Sequence, residues 1–118
     1  ETRMKTVDYV FAILVLVLGL LHCAAAPVFR GRYGVEGMWF LSGGLMLMMI
    51  GLMNLVRIAS SAGSARAGAI VANLVGLGFT VGLFPLVSLR QDPQVLAGAV
   101  VLAVPTILSI LRRPPRAA

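Results

Sequence analysis

The sequence predicts an all-α integral membrane protein, built as an up-down bundle of four transmembrane helices. The first observation is the composition. Of the 118 residues, 59% are hydrophobic and 12% are charged, whereas a soluble domain has about 25% charged residues. Secondly, the apolar residues form four stretches, each close to the roughly 20 residues that cross a bilayer as a helix. Thirdly, these stretches lack the period-two alternation of strands. A chain of this length holds a single domain.

The four spans are predicted at residues 9–29, 37–58, 67–89 and 95–111. Each is predicted to be helical, because backbone N–H and C=O groups in hydrocarbon must find partners within their own segment. The second span holds a single charge near its end, and the third holds none. Helices of this length and composition are expected to face lipid.

Short segments connect the spans: RGRYGVE (30–36), ASSAGSAR (59–66) and RQDPQ (90–94). Because short loops join antiparallel neighbours, the expected topology is up-down. Pro85 and Pro105 are expected to kink the third and fourth helices.

The N-terminal region needs its own interpretation. Residues 1–3 precede Met4 and are interpreted as a tag remnant, with Met4 as the native start. Residues 24–26 (AAA) resemble a signal-peptide cleavage site, and Pro27 follows directly. The apolar run is longer than the roughly 7–15 residues of a signal peptide. We therefore expect the first span to be retained.

The distribution of lysine and arginine predicts the orientation, because these residues are enriched in cytoplasmic loops. In an up-down bundle, Arg30, Arg32 and Arg90 fall on one side. The other side, which holds both termini, carries the remaining seven: Arg3, Lys5, Arg57, Arg66, Arg112, Arg113 and Arg116. Both termini are therefore predicted to lie in the cytoplasm, with the C-terminal arginines among anionic headgroups.

Two asparagines lie within predicted spans at comparable depth on the cytoplasmic side. Asn54 is in the second span and Asn73 in the third, each several residues from the loop between them. Side-chain hydrogen bonds between membrane helices contribute about 0.6–2 kcal/mol. We therefore expect the two amides to bond across the hairpin, and a place along a polar conduit is the alternative.

A second polar layer is predicted toward the opposite side, where His22, Trp39, Ser42 and Thr80 fall within the spans and Glu36 lies at the rim. Trp39 near a helix start is typical of an interfacial anchor. A polar group inside a membrane helix is costly and often functional, but the sequence favours a structural role for His22. The alternative is a ligand pocket lined by His22, Trp39 and Ser42, with Thr80 nearby.

Glycine predicts close helix packing. Gly37, Gly44 and Gly51 recur every seven residues in the second span. The third span holds two small-xxx-small pairs: Ala72/Gly76 and Gly78/Gly82. Such positions allow helix backbones to approach closely, which fits a compact bundle or one that also dimerises.

Several function classes lack the residues they need. One histidine cannot supply two axial haem ligands, and the single cysteine, Cys23, cannot form an intrachain disulfide. His22 and Ser42 lack a surrounding nucleophile motif, and no acid is expected to be embedded in the spans. The basic residues flank apolar runs rather than forming the basic, wettable face of a nucleic-acid binder. We expect no catalysis, no metal, no cofactor and no nucleic-acid partner.

Two membrane families are similar in size. In length and number of spans the chain resembles the small four-helix proton-coupled drug exporters, but these carry a glutamate embedded in the first helix. Here the candidate is Asp8, at the cytoplasmic edge. The stretch AIVANLVGLGFTVGLF (69–84) is similar to the asparagine-bearing helix of fluoride channels, but the phenylalanine- and threonine-rich broken helix that should follow is missing.

The expected function is therefore that of a small protein of a bacterial inner membrane without catalytic chemistry. It would act as a subunit of a membrane complex, as a scaffold, or as a binder of lipid or another small apolar ligand. The alternative is a homo-oligomeric transporter or channel, such as a homodimer, with Asn54, Asn73 and Thr80 along a polar track.

Overall fold

The computed structural model describes residues 1–29, 34–88 and 90–112, apart from the side chains of Val28 and Phe29. These residues form four α-helices: α1 (Thr2–Phe29), α2 (Val35–Ala59), α3 (Gly63–Gly82) and α4 (Pro93–Leu111). The predicted all-helical fold is confirmed, and each helix is long and apolar enough to cross a membrane. Predictions that fall on the following positions lie outside the described residues: Arg30, Arg32, Leu89, Arg113 and Arg116.

Helix α1 begins at Thr2, well before the predicted start of the first span at residue 9. Hydropathy detects only the part of a helix that suits hydrocarbon, whereas polar residues such as Arg3 and Lys5 are good helix formers and extend the helix beyond that part. The Thr6 hydroxyl donates to the Thr2 carbonyl at 3.1 Å, within this polar start. The early start brings Asp8 into the second turn of α1.

Helix α2 follows Gly34, whose backbone is extended. Glu36 lies in its first turn and Arg57 in its last turn. Because the helix dipole favours a negative charge at the N-terminus and a positive charge at the C-terminus, both side chains suit their positions. The turn from Ser60 to Ala62 then leads directly into α3.

Helix α3 ends at Gly82, before the predicted end of the third span at residue 89. Turns follow, with hydrogen bonds from the Leu83 N–H to the Thr80 carbonyl at 3.2 Å and from the Phe84 N–H to the Val81 carbonyl at 3.0 Å. Pro85 explains the ending, because it has no N–H to donate and disfavours helical backbone in the residue before it. Pro85 therefore ends α3 instead of kinking it.

Helix α4 starts with Pro93, at a position where the missing N–H costs nothing. It continues through Pro105 to Leu111. Proline at this position removes the N–H that would bond to the Val101 carbonyl. The helix is nevertheless maintained by its packing, since Pro105 is buried among the other helices.

The four helices pack in cyclic order, each antiparallel to the next. Helix α1 packs on α2, α2 on α3, α3 on α4, and α4 on α1. The apolar centre consists of four buried side chains from three helices: Val15, Leu47, Ile50 and Leu102. We call the end of the bundle where α1 begins and α4 ends the terminal end.

Helices α1 and α2 approach closely through glycine. A Cβ atom at Gly44 would lie 2.9 Å from the Cys23 nitrogen and 2.9 Å from the Gly19 carbonyl oxygen. One at Gly51 would lie 2.7 Å from the Leu16 nitrogen. These are backbone atoms that cannot move aside as a flexible side chain can. Gly44 and Gly51 of the glycine repeat are therefore required by the contact between α2 and α1.

Candidate functional site

Three charged side chains meet at the terminal end of the bundle. Asp8 Oδ1 accepts a hydrogen bond from Arg57 Nη2 at 2.5 Å, and Asp8 Oδ2 accepts one from Arg112 Nη1 at 2.6 Å. Arg57 lies in the last turn of α2, and Arg112 directly follows α4. We call these three residues the charged cluster. It connects α1, α2 and α4 and contains two positive charges and one negative charge.

The charged cluster corrects two expectations from the sequence. Asp8 lies near the start of α1, at the edge of the first apolar span as expected, but its side chain is 0% exposed and is buried between helices instead of facing the surroundings of the bundle. The side chain of Arg57, expected to flank the apolar spans, is 5% exposed. Hydropathy gives the depth of a residue along a helix but not the face on which it lies. A carboxylate can be buried here because it accepts charge-assisted bonds from two guanidinium groups.

The two asparagines occupy the next layer of the interior. Asn54 Nδ2 donates to Asn73 Oδ1 at 2.7 Å, and Asn73 Nδ2 lies 3.1 Å from Asn54 Oδ1. Asn73 Nδ2 also lies 3.1 Å from Ser109 Oγ and 3.2 Å from the Pro105 carbonyl oxygen. We call Asn54, Asn73 and Ser109 the amide cluster. It connects α2, α3 and α4, and all three side chains are fully buried.

One hydrogen bond joins the two clusters. Arg57 Nε donates to Asn54 Oδ1 at 3.3 Å, so the network is continuous from Asp8 of α1 to Ser109 of α4. Among the described residues, every buried side-chain nitrogen or oxygen atom has a hydrogen-bond partner. Such a network stabilises the packing of all four helices, because removing one member leaves another unpaired.

The last turn of α4 is bound by an arginine of α3. Arg66 Nε donates to the Ser109 carbonyl at 3.1 Å, and Arg66 Nη2 donates to the Ile110 carbonyl at 2.5 Å. The final carbonyls of a helix have no partner within it and carry its negative dipole end. Arg66 therefore satisfies backbone groups, and its guanidinium is not part of the charged cluster.

His22 lies toward the opposite end of the bundle, between α1 and α2. Its ring stacks on that of Phe40, with 3.7 Å between ring centroids and an interplanar angle of 13°. His22 Nε2 lies 3.4 Å from the position that a Cβ atom of Gly43 would take. The histidine therefore packs flat against α2, where glycine leaves room for the ring. The sequence alone does not indicate that Phe40 stacks on His22, because a phenylalanine in an apolar span is usually an ordinary lipid-facing residue.

Of the other residues of the predicted outer layer, Trp39 and Ser42 lie together on α2, and Thr80 lies on α3. Trp39 is 74% exposed, and the hydroxyl of the exposed Ser42 donates to the Trp39 carbonyl at 2.7 Å. Thr80 donates to the Gly76 carbonyl of its own helix at 2.8 Å, and its methyl group faces Gly98 of α4. His22, Trp39 and Ser42 thus lie on the adjacent helices α1 and α2, whereas Thr80 faces α4.

The polar interior offers hydrogen-bonding and ion-pairing groups. Within the described ranges, no three side chains of the metal-binding types His, Cys, Asp and Glu lie close enough together to hold an ion. The Cys23 thiol contacts the Leu41 carbonyl at 3.8 Å and the Met48 sulfur at 4.0 Å.

Comparison of the chain with protein-family models, with curated proteins and with solved structures gives no match. The function is therefore inferred from the residues and their contacts.

Proposed function

We propose that this chain is a four-span integral membrane protein of a bacterial inner membrane, with both termini in the cytoplasm. In this proposal it performs no chemistry of its own. It acts instead as a subunit or scaffold of a membrane complex, or as a binder of lipid or another small apolar ligand, through its outer surface.

The observation that carries the proposal is the distribution of polar and apolar side chains. The buried polar atoms of the charged and amide clusters bond to one another, and large apolar side chains such as Val71, Phe79 and Leu86 are exposed. A solute passing through the interior would have to replace bonds that are already made, at about 1–3 kcal/mol for each buried group left unpaired. The exposed apolar surface suits lipid chains or an apolar partner.

The proposed orientation rests on the basic residues at the terminal end. Arg57 and Arg112 of the charged cluster lie there together with Arg66, while Arg90 lies at the opposite end. An excess of lysine and arginine is typical of the cytoplasmic side of a membrane protein.

Flux measurements in liposomes test the proposal. We expect vesicles that contain the purified chain to pass ions and small solutes no faster than protein-free vesicles. Reproducible flux that disappears in Asn73→Leu and persists in Gln91→Leu would contradict it. The second variant is a matched control, because it removes an exposed amide in the connection between α3 and α4.

A homo-oligomeric transporter or channel is the second candidate. The observation that favours it is the continuity of the network, which runs from Asp8 through Arg57, Asn54 and Asn73 to Ser109. The network crosses all four helices at the terminal end and reaches one layer into the apolar bundle, and buried charged residues in membrane helices commonly mark ion or substrate paths. The flux experiment distinguishes the two candidates directly.

A further inference from the structure

We propose that the terminal end of the bundle binds the phosphate group of an anionic phospholipid through Arg112. The inference rests on the membrane-spanning arrangement proposed above. The charged cluster contains two guanidinium groups and one carboxylate. Within the part of the chain that the structure describes, one positive charge of the cluster is therefore left without an opposite charge.

Arg112 is the member of the cluster that a lipid can reach. Its side chain is 18% exposed, against 5% for Arg57 and 0% for Asp8. Arg57 is directed inward, because its Nη2 donates to Asp8 and its Nε donates to Asn54. The described bond of Arg112 uses Nη1, and the guanidinium has further N–H donors on Nε and Nη2. A planar fork of this kind is suited to phosphate oxygens.

Arg112 also lies at the right depth. Helix α4 has 19 residues, which at the helical rise of 1.5 Å per residue gives a length of about 28 Å. The hydrocarbon core of a bilayer is about 30 Å thick. Since Arg112 directly follows α4, its guanidinium lies where hydrocarbon gives way to phosphate groups. Lys5, exposed three residues before Asp8 on α1, adds a second positive charge at this level.

Asp8 sets the strength of the site. Its carboxylate shares the two guanidinium groups and offsets part of their attraction for another anion. A lipid phosphate that approaches Arg112 therefore meets one net positive charge instead of two. Removing the charge of Asp8 should strengthen lipid binding, whereas removing the charge of Arg112 should weaken it.

The test uses the full chain purified from mixed vesicles of phosphatidylglycerol and phosphatidylcholine. Native mass spectrometry measures the ratio of the two lipids that remain bound. We expect the wild type to retain phosphatidylglycerol preferentially, and Arg112→Gln to lower the ratio about fivefold, the effect of one basic residue near a membrane surface. Arg90→Gln is the matched control, because it removes an exposed positive charge at the opposite end, and it should lower the ratio less than Arg112→Gln does. Equal ratios for Arg112→Gln and the wild type, or an equal fall in Arg90→Gln, would overturn the inference.

Two further variants extend the test, and the first of them keeps it decisive if Arg112→Gln fails to fold. Arg112→Lys retains the positive charge and should retain most of the preference for phosphatidylglycerol. Asp8→Asn leaves two uncompensated guanidinium groups and should raise the ratio above that of the wild type. A fall in the ratio for Asp8→Asn would also overturn the inference.

Inorganic phosphate distinguishes a lipid headgroup from a free anion. Added in solution, it should not displace phosphatidylglycerol, because it lacks the acyl chains that hold the lipid against the bundle. Displacement would show a site for free phosphate and would overturn the lipid assignment. If the wild type shows no preference for phosphatidylglycerol and vesicles that contain it show no flux, only this inference is contradicted. If the wild type prefers phosphatidylglycerol but its vesicles show flux that depends on Asn73, only the proposed function is contradicted.

Discussion

At the scale of single residues, Asn73 is the side chain on which the contacts of three helices converge. From α3 its amide reaches Asn54 of α2, and it reaches Ser109 and the Pro105 carbonyl of α4. A hydrogen bond between membrane helices contributes about 0.6–2 kcal/mol, and a buried polar group left unpaired costs about 1–3 kcal/mol. Asn73 should therefore contribute more to stability than an average buried residue of its size.

We expect Asn73→Leu to lower the free energy of unfolding by about 1–3 kcal/mol. The double variant Asn54→Leu/Asn73→Leu should lose less than the sum of the two single losses, because the single variants each leave an unpaired partner. Denaturant titration in detergent, followed by circular dichroism, measures all four members of the cycle. Strictly additive losses would show that the two amides do not depend on each other.

The amide pair could be anticipated from the sequence, whereas the charged cluster could not. Asn54 precedes the predicted loop at residues 59–66 by five residues and Asn73 follows it by seven, and an antiparallel hairpin places such positions at comparable depth. Asp8 is separated from Arg57 by 49 residues and from Arg112 by 104. Its contacts depend on the face that α1 turns toward α2 and α4, and hydropathy does not determine that face.

At the scale of helices, glycine controls the contact between α1 and α2. Gly19, Gly44 and Gly51 each lack room for a Cβ atom because backbone of the opposite helix is too close. The sequence predicted such packing from the heptad spacing in α2 but did not identify the partner helix. It also predicted kinks at both Pro85 and Pro105, although α3 ends before the first of these and α4 continues through the second. Tertiary packing explains the difference, because Pro105 is buried and Pro85 is exposed.

We expect Gly44→Ala to destabilise the bundle by about 1–3 kcal/mol, the usual cost of overpacking a tight contact. The added methyl group would press against the backbone of Gly19 and Cys23 in α1. Gly78→Ala is the matched control, because a Cβ atom there would meet nothing within 4 Å, and alanine is the better helix former. Thermal unfolding in detergent compares the two. A control variant that is less stable than Gly44→Ala would contradict the proposed role of the α1–α2 contact.

At the scale of the whole molecule, the bundle buries polar side chains beside its apolar centre and exposes many large apolar side chains. The buried side chains at the terminal end include Asp8, Arg57, Asn73 and Ser109, whereas Trp39 and many large aliphatic side chains are exposed. A soluble protein of this size would place such apolar groups in its core, because water penalises exposed apolar surface by about 25 cal/mol per Å². In hydrocarbon this penalty vanishes, and bonded polar groups in the interior stabilise the fold.

The most direct test is the behaviour of the chain when amphiphile is withdrawn. We predict that the chain stays with the membrane pellet after alkaline carbonate extraction and becomes monodisperse only in detergent or lipid nanodiscs. This result is expected because four helices with apolar outer faces cannot be hydrated without aggregation. A folded, helical and monodisperse chain in plain buffer would contradict the membrane-spanning arrangement on which the proposed function depends.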